Sequence, residues 1–227
     1  MTKRLYYTDA SLTASAVVQT VMNGDSKAVV LSQTIFHPQG GGQKADVGFI
    51  GTARVLHVAT REDGEVVHYV DSLDGLAPGL EVSLAVDSAT RGLHSRLHTA
   101  GHLLAAVGQS RWPALKPKAG HHWPAEARVE FEIAREEPDE SFGARLEEDL
   151  RRVISLGLPV RASSPETPPR TVQIGEYPAI PCGGTHVADL RRLEAVIIRK
   201  IKNSKGILRI SYDVASAPVV EYDPARY

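Results

Sequence analysis

Short apolar runs follow one another through the first 88 residues, separated by Gly, Pro and Asp. Runs of this length that are bounded by turn residues are typical of β-strands. Because no convincing long helix interrupts them, the pattern predicts a small β-barrel. The runs that predict its strands are residues 27–32, 51–59, 66–70 and 80–86.

One segment of this first part has a helical periodicity instead. In residues 12–23 the apolar side chains fall on one side of a helix; they are Ala14, Val17, Val18 and Val21. The spacing predicts one early helix there.

The rest of the chain predicts a mixture of helices and strands. We expect a helix from Ser88, its candidate N-cap, to Gln109, and an amphipathic helix over residues 141–156. Alternating runs predict strands at residues 128–133, 159–163, 171–174, 194–202 and 206–214, with a turn at 203–206. Helices and antiparallel strands mixed in this way pack as layers. We therefore predict an α+β fold, with a barrel over residues 1–88 followed by a two-layer helix and antiparallel-sheet domain over residues 89–227.

The composition is that of an ordinary soluble globular protein. The chain has 227 residues, of which 42% are hydrophobic and 23% charged, enough for one large or two small domains. Its single cysteine excludes an internal disulfide and fits a reducing cytoplasm. The N-terminus lacks the apolar stretch of a signal peptide, and no window approaches the length of a transmembrane helix. We expect a cytoplasmic protein with no membrane partner; its oligomeric state stays open.

The charges are unevenly distributed. A net charge of −1 gives no general attraction to nucleic acid, so a polyanionic partner would need a local basic surface. Residues 191–209 hold seven basic side chains against the single Glu194. Such charges on strands often do no more than keep a surface soluble, but a metal site nearby in sequence favours a polyanionic substrate. The seven are Arg191, Arg192, Arg199, Lys200, Lys202, Lys205 and Arg209.

Two short pairs of residues are the strongest chemical signal in the chain. His98 and His102 lie four positions apart in a predicted helix, so their imidazoles share one face, one turn apart. The only cysteine, Cys182, is followed four positions later by His186. Imidazole nitrogen and thiolate sulfur are the ligands that zinc prefers. The sequence therefore predicts a zinc site; the alternative, ordinary helix histidines and a buried thiol, needs both pairs to be coincidental.

Four protein ligands leave the role of this ion open. A structural zinc has four protein ligands, whereas a catalytic zinc keeps one position for water or substrate. Either one of the four residues binds loosely or contacts a ligand instead of the ion, or the ion orients substrate without activating water.

A glycine-rich loop, residues 34–48, is the other informative stretch. It contains three consecutive glycines, Gly40 to Gly42, between Gln39 and Gln43. Glycine tolerates positive φ and lets backbone amides approach a ligand closely. The loop lacks the Lys-Ser/Thr of a P-loop and the glycine spacing of a dinucleotide site. A plain hairpin turn is the alternative, but it needs fewer glycines, so we favour a functional loop.

Together these motifs resemble those of the editing domain of alanyl-tRNA synthetase and of its free-standing relatives, the AlaX trans-editing proteins. In chain order they are F-H-P-Q-G-G-G-Q-K-A-D-V-G at 36–48, H-T-A-G-H-L-L at 98–104, C-G-G-T-H-V at 182–187 and K-N-S-K-G-I-L-R-I-S-Y at 202–212. They extend over most of the chain. The presence of both the glycine loop and the zinc motifs resembles the medium-length AlaX form.

The resemblance implies a reaction and a partner. The implied reaction is hydrolysis of the ester that joins a wrong amino acid, chiefly serine with glycine as a further candidate, to alanine tRNA. The implied partner is thus the acceptor end of mischarged tRNA(Ala), and the implied cofactor is Zn²⁺. The family's zinc-binding positions are matched here by His98, His102, Cys182 and His186.

The resemblance also implies roles for other residues. Gln43 matches a glutamine that is important for editing. Thr34 and the glycines Gly40, Gly41 and Gly42 fall on the loop that lines the pocket. The turn at 204–206 and Arg209 fall in a region near the tRNA end.

Two histidines stand apart from the family pattern. His37 occupies a position where Tyr is commoner, and His94 adds a third histidine one turn before His98. Over eight residues of an ideal helix His94 drifts by about 80° from His102, so three histidines at successive turns do not converge easily on one ion. We expect His94 to be a surface or packing residue.

Two other functions stay open from the residues alone. One is a zinc hydrolase of small esters or amides, although Thr99 replaces the Glu of the protease motif His-Glu-x-x-His. The other is a tRNA- or RNA-binding module with a structural zinc. Editing domains of threonyl-tRNA synthetase share the His and Cys-His pattern, but the glycine loop and C-G-G-T-H favour the alanine branch.

Substrate selection has a physical requirement. Serine differs from alanine by one hydroxyl, which a purely apolar pocket distinguishes only weakly. A site that hydrogen-bonds this hydroxyl rejects alanine, because its own polar groups would then be unpaired. Thr34 and Gln43 are the candidates for that bond.

Overall fold

The computed structural model describes residues 1–133, 139–166 and 168–215. These residues form two compact units. The barrel unit consists of Met1–Gly92 with two short segments, Ser164–Pro168 and Gly183–Thr185. The described part of the C-terminal unit consists of Leu93–Ser163 without residues 134–138, Pro169–Cys182, and residues 186–215.

The barrel unit contains eight strands and one 3₁₀ turn. Six strands close into an antiparallel barrel in the order β2-β3-β7-β6-β5-β8, and the short β1 and β4 pair in parallel. This confirms the predicted barrel. The elements are β1 (Lys3–Arg4), the 3₁₀ turn Leu5–Tyr7, β2 (Thr13–Asn23), β3 (Lys27–Leu31), β4 (Gln33–Thr34), β5 (Gly48–Ile50), β6 (Ala53–Thr60), β7 (Val66–Val70) and β8 (Glu81–Val86).

The predicted early helix is wrong: all of residues 12–23 except the first form the strand β2. Within this strand Ala16 and Val18 are buried while Ser15 and Val17 are exposed, which is the period-2 alternation of a sheet. The segment is rich in β-branched residues, whose side chains fit a pleated surface better than a helix. Pairing with β3 on one side and β8 on the other decides the conformation.

The C-terminal unit contains most of the first helix, the whole of the second, and seven strands. Its larger sheet is antiparallel with the order β14-β15-β10-β9, and a smaller one has the order β11-β12-β13. The elements are α1 (Ser88–Arg111), β9 (Leu115–His121), β10 (Arg128–Ile133), α2 (Phe142–Ser155), β11 (Val160–Ala162), β12 (Thr171–Ile174), β13 (Ile180–Pro181), the 3₁₀ turn Leu190–Leu193, β14 (Val196–Ser204) and β15 (Ile207–Val214).

Both helices lie where the periodicity predicts them, but the N-cap differs. Asp87 rather than Ser88 caps α1, because the Asp87 carboxylate accepts a hydrogen bond from the Thr90 N–H at 2.7 Å and its carbonyl accepts from the Arg91 N–H. Ser88 is the first residue of the helix.

Buried residues of both helices and of the larger sheet belong to one apolar cluster in the C-terminal unit. Alternate residues of β15, Leu208, Ile210 and Tyr212, are buried in the same apolar cluster as Leu97 of α1 and Leu146 of α2. The residues between them on β15 are exposed or half-buried. One face of this sheet is therefore apolar and the other polar. Neither helix, within the described residues, has the length and apolar character needed to cross a membrane.

Candidate functional site

The four predicted metal ligands come together in the C-terminal unit. Helix α1 places the His98 and His102 rings 5.0 Å apart, and Cys182 follows directly after β13. One nitrogen or sulfur atom from each of the four residues lies within 4.8 Å of the others. His98 is buried and the other three are half-buried.

Two of the spacings among these atoms are close to those around a tetrahedral metal ion. Cys182 Sγ lies 3.5 Å from His98 Nε2 and 3.2 Å from His186 Nε2. Tetrahedral zinc bonds of about 2.0–2.3 Å place neighbouring ligand atoms about 3.3–3.6 Å apart. Two imidazole nitrogens and a sulfur at this spacing, with a third imidazole beside them, are a donor set that suits zinc.

Burial keeps His102 in the form that binds metal. It lowers the pKa of His102 to about 4, so the imidazole is neutral at neutral pH. A histidine must be unprotonated at the coordinating nitrogen to bind a cation. The site therefore has a neutral imidazole available without first losing a proton.

Arg170 fixes the backbone at Cys182. The Arg170 carbonyl accepts a hydrogen bond from the Cys182 N–H at 2.9 Å, and the Arg170 guanidinium donates to the Cys182 carbonyl at 2.7 Å. These two bonds hold the N–H and the carbonyl of Cys182 in place. Sequence reasoning missed Arg170, which has no motif of its own.

His122 is a further histidine at this site that sequence reasoning missed. Its ring stacks on the His98 ring at 4.5 Å, and its Nδ1 lies 2.6 Å from the Tyr212 hydroxyl, which donates to the Leu97 carbonyl. Burial, with smaller contributions from two neighbouring histidines, lowers the pKa of His122 to about 3. Because the Tyr212 proton goes to Leu97, His122 must donate from Nδ1.

Close packing requires a glycine at Gly101 in the H-T-A-G-H motif. A Cβ at this position would lie 2.3 Å from the His122 ring and 2.6 Å from the Tyr212 hydroxyl. The helix can therefore pack against these two side chains only without a side chain at residue 101. His94, the additional histidine, is buried outside the ligand group, in agreement with a packing role.

The glycine loop of the barrel unit is a tight hairpin turn. Gly40 and Gln43 exchange two backbone hydrogen bonds of 3.1 and 3.0 Å, and between them Gly41 and Gly42 have φ of 57° and 77°. Two positive φ values define a type I′ turn, which demands glycine or Asn at both positions. The conformation of this loop is therefore that of a hairpin turn, the alternative that the sequence left open. Within the described residues, the N–H groups of Gly41 and Gly42 form no hydrogen bond.

Gln43 is fully buried and bonded to the loop between two ligand candidates. Its side-chain amide donates to the Thr185 hydroxyl at 2.9 Å and accepts from the Thr185 N–H at 3.0 Å. Thr185 belongs to the barrel unit and is followed in the chain by His186. The side-chain amide of Gln43 therefore holds Thr185 in place through both its N–H and its oxygen.

A buried ion pair stabilises the glycine loop. The Asp46 carboxylate accepts hydrogen bonds from the His37 N–H and from the Arg91 guanidinium, which also donates to the Ile35 carbonyl. Asp46 is completely buried and Arg91 nearly so. A buried carboxylate with this many donors fixes the path of the chain on both sides of the turn. Sequence reasoning missed this pair.

Thr34 is completely buried in the barrel unit. His68 Nδ1 faces the Val29 carbonyl at 3.3 Å, which can only accept, so His68 Nε2 accepts a proton from the Thr34 hydroxyl at 2.8 Å. The Phe36 N–H donates to the same Thr34 oxygen at 3.0 Å. One lone pair of Thr34 stays unused by these bonds.

The predicted basic stretch lies largely on the hairpin of β14 and β15. Lys205 and Gly206, with φ of 52° and 76°, form its two-residue turn. Lys200 and Lys202 are exposed on the polar face, and Lys202 is paired in register with Arg209. Arg209 bonds to Glu130 at 2.7 Å and Arg191 to Asp189, whereas Lys200, Lys202 and Lys205 have no ion-pair partner in the described part of the chain.

Comparison with known proteins gives consistent results. A family model described as class II (A) tRNA synthetases matches residues 2–90, and one described as the threonyl and alanyl tRNA synthetase second additional domain matches residues 170–211. Alanyl-tRNA editing protein AlaX-M from Pyrococcus horikoshii is 34% identical over 90% of this chain and 92% of its own length. AlaX-M from Saccharolobus solfataricus is 27% identical over 94% and 99%, and AlaX-L from P. horikoshii is 30% identical over 93% and 58%. The chain therefore belongs to the family of AlaX alanyl-tRNA editing proteins.

Proposed function

We propose that this protein is an aminoacyl-tRNA deacylase that removes serine, with glycine as a second candidate, from mischarged tRNA(Ala) in trans. The observation that carries the proposal is the group of four ligand residues in a member of the AlaX family. We further propose that residues 1–88 are a barrel domain and residues 89–227 a two-layer editing domain, and that the protein acts in the cytoplasm.

His98, His102, Cys182 and His186 would hold Zn²⁺. When bound, zinc supplies a Lewis acid for an oxygen of the substrate. An aminoacyl ester is already activated, so the chain's own residues have mainly to position the substrate and stabilise developing charge.

The glycine turn supplies donors for that charge. The N–H groups of Gly41 and Gly42 are not used within the described residues, and the type I′ turn fixes their directions. We propose that they stabilise the oxyanion that forms when the ester carbonyl is attacked. Gln43 would act as a positioning residue through Thr185, since both ends of its amide are bonded there.

Thr34 is the better candidate for recognising the serine hydroxyl. Its proton is donated to His68, so its free lone pair offers an acceptor to a donating hydroxyl. Alanine has no such donor. A pocket of this kind discriminates between the two amino acids because its acceptor is left unpaired when alanine binds.

The tRNA would be held in part by the polar face of the β14–β15 hairpin. Lys200, Lys202 and Lys205 are exposed there without an ion-pair partner in the described residues. Unpaired cations on an exposed surface suit the phosphate backbone of a nucleic acid.

Deacylation of three charged tRNAs tests the proposal. Wild type, Cys182→Ala and the control His57→Ala, a barrel histidine outside the ligand group, are each incubated with Ser-tRNA(Ala), Ala-tRNA(Ala) and Ser-tRNA(Ser). We expect wild type and the control to release serine from the first substrate only, and Cys182→Ala to release none. Retention of all three charged tRNAs by wild type would contradict an editing enzyme and favour an RNA-binding module.

A further inference from the structure

Thr99 lies on α1 between the two ligand histidines, at the position where zinc proteases carry a general-base Glu. It is completely buried, and its hydroxyl oxygen has three neighbours. They are the Ser95 carbonyl at 2.8 Å, the Val187 N–H at 3.2 Å and His186 Nδ1 at 3.1 Å.

The direction of each bond follows from counting protons. A threonine hydroxyl has one proton and two lone pairs. The Ser95 carbonyl can only accept, so it takes the proton, and the Val187 N–H can only donate, so it occupies one lone pair. The second lone pair faces His186 Nδ1, which must therefore carry a proton.

This fixes which nitrogen of His186 can bind metal. A neutral imidazole with its proton on Nδ1 has its lone pair on Nε2. His186 Nε2 is the atom that lies 3.2 Å from Cys182 Sγ, inside the ligand group. The nitrogen selected by Thr99 is thus the one that points at the ion's position.

We propose that Thr99 is a positioning residue that selects the Nδ1–H tautomer of His186 and so makes His186 a full zinc ligand. The proposal rests on the zinc site of the proposed function but not on the deacylation reaction. The opposite tautomer would place two lone pairs against each other at 3.1 Å, or turn the Thr99 hydroxyl proton away from the Ser95 carbonyl, its shortest contact at 2.8 Å. Its role differs from that of the protease Glu, because Thr99 acts on a ligand and not on water.

Zinc affinity tests the assignment without measuring activity. Competition with a chromophoric chelator is measured on the full chain for wild type, Thr99→Val and Thr99→Ser. Valine keeps the shape and removes the hydroxyl, whereas serine keeps the hydroxyl. Loss of a group that orients a metal-binding histidine typically weakens metal binding about 10–100-fold, so we expect that loss for Thr99→Val and near wild-type affinity for Thr99→Ser.

A double-mutant cycle separates this role from a merely structural one. In the His186→Ala background Thr99→Val should weaken zinc binding no further, because the residue on which it acts is gone. A loss of the same size in that background would overturn the proposal, as would wild-type affinity in Thr99→Val.

A measurement on the wild type alone covers the case in which Thr99→Val does not fold. Long-range ¹H–¹⁵N spectra of the zinc-free protein identify the protonated nitrogen of each histidine ring. We expect the proton of His186 on Nδ1, and finding it on Nε2 would overturn the proposal. If tautomer and affinities agree but wild type does not deacylate Ser-tRNA(Ala), the zinc assignment stands and the proposed function fails.

Discussion

Thr34 is the residue at which substrate choice is most directly testable. In Thr34→Val the acceptor for a serine hydroxyl is lost, so we expect the ratio of kcat/KM for Ser-tRNA(Ala) over Ala-tRNA(Ala) to narrow by about tenfold or more. The control is Thr34→Ser, which keeps the hydroxyl and should keep most of the ratio. An unchanged ratio in the valine variant would show that another group recognises serine.

The same hydroxyl is bonded to a histidine that makes the barrel sensitive to acid. Complete burial lowers the pKa of His68 to about 4 in the folded protein, whereas an unfolded histidine has a pKa of about 6.5. Between these values the unfolded chain binds a proton that the folded chain excludes. The stability associated with neutral His68 is therefore complete above about pH 6.5 and is lost as the pH falls toward 4, by up to about 3 kcal/mol.

Urea unfolding between pH 4 and 7 measures this effect by comparison of variants. We expect the free energy of unfolding of His68→Gln to depend less steeply on pH than that of wild type, by up to one proton. His57→Gln, at a half-buried barrel histidine, is the control and should keep the wild-type slope. Equal slopes in all three proteins would mean that His68 binds protons alike in the folded and unfolded states.

Alanine substitutions at two glycines of helix α1 should have opposite effects on the stability of the protein. A Cβ at Gly101 would overlap His122 and Tyr212, whereas a Cβ at Gly92 meets nothing within 4 Å. We expect Gly101→Ala to destabilise the protein by about 1–3 kcal/mol through overpacking. Gly92→Ala should stabilise it by up to about 1 kcal/mol, since alanine is the better helix former. Urea unfolding of both variants checks the signs, and stabilisation by Gly101→Ala would contradict the close packing of His122 against the helix.

The hairpin of β14 and β15 is the element on which tRNA binding is tested. In Lys200→Gln/Lys202→Gln we expect weaker tRNA binding and a smaller salt dependence, by about one in the log–log slope for each phosphate that the protein no longer neutralises. Lys3→Gln/Lys27→Gln removes the same charge from the barrel unit and is the control. An equal weakening in the two variants would point to a general charge effect instead of a binding face.

Periodicity predicted most elements of this fold, and its failures have identifiable reasons. The strands at 66–70 and 128–133 and the helix from residue 88 have clear patterns and stop signals, and the structure contains them. Residues 12–23 have a helical spacing of apolar side chains by coincidence, but pairing with β3, 4–13 residues away, and with β8, 64–72 residues away, makes residues 13–23 a strand. The pattern did not predict the strand Leu115–His121, because Pro117 and Gly120 are residues that usually interrupt strands.

The sequence could predict only those site residues that form motifs with near neighbours in the chain. The spacing of His98 and His102 and the Cys182 pair identified ligand candidates that the structure brings together. His122, Arg170 and the Asp46–Arg91 pair have no motif, because their roles depend on contacts between segments far apart in the chain. Partner residues of this kind become visible only when the fold is known.

At the scale of the whole molecule, the ligand loop is divided between the two units along the chain. Cys182 and His186 belong to the C-terminal unit, but the three residues between them belong to the barrel unit, where Gln43 bonds to Thr185. Two hydrogen bonds thus connect Gln43 of the glycine loop to Thr185, and one peptide bond connects Thr185 to His186. This gives a physical reason for a barrel loop to carry a buried glutamine.

Zinc should therefore stabilise more than its own ligands. An ion at 100 times its Kd adds about 2.7 kcal/mol to the free energy of unfolding, or about 5–10 °C in Tm for a chain of this size. The two tryptophans, Trp112 and Trp123, both lie in the C-terminal unit, so their fluorescence reports its unfolding. We expect a chelator to lower that midpoint in wild type and to have no effect on Cys182→Ala. Backbone hydrogen exchange of β6 and β7 reports the barrel unit separately. Chelator-induced changes in both signals would show that the ion stabilises the two units together, whereas a change in neither would contradict a zinc site.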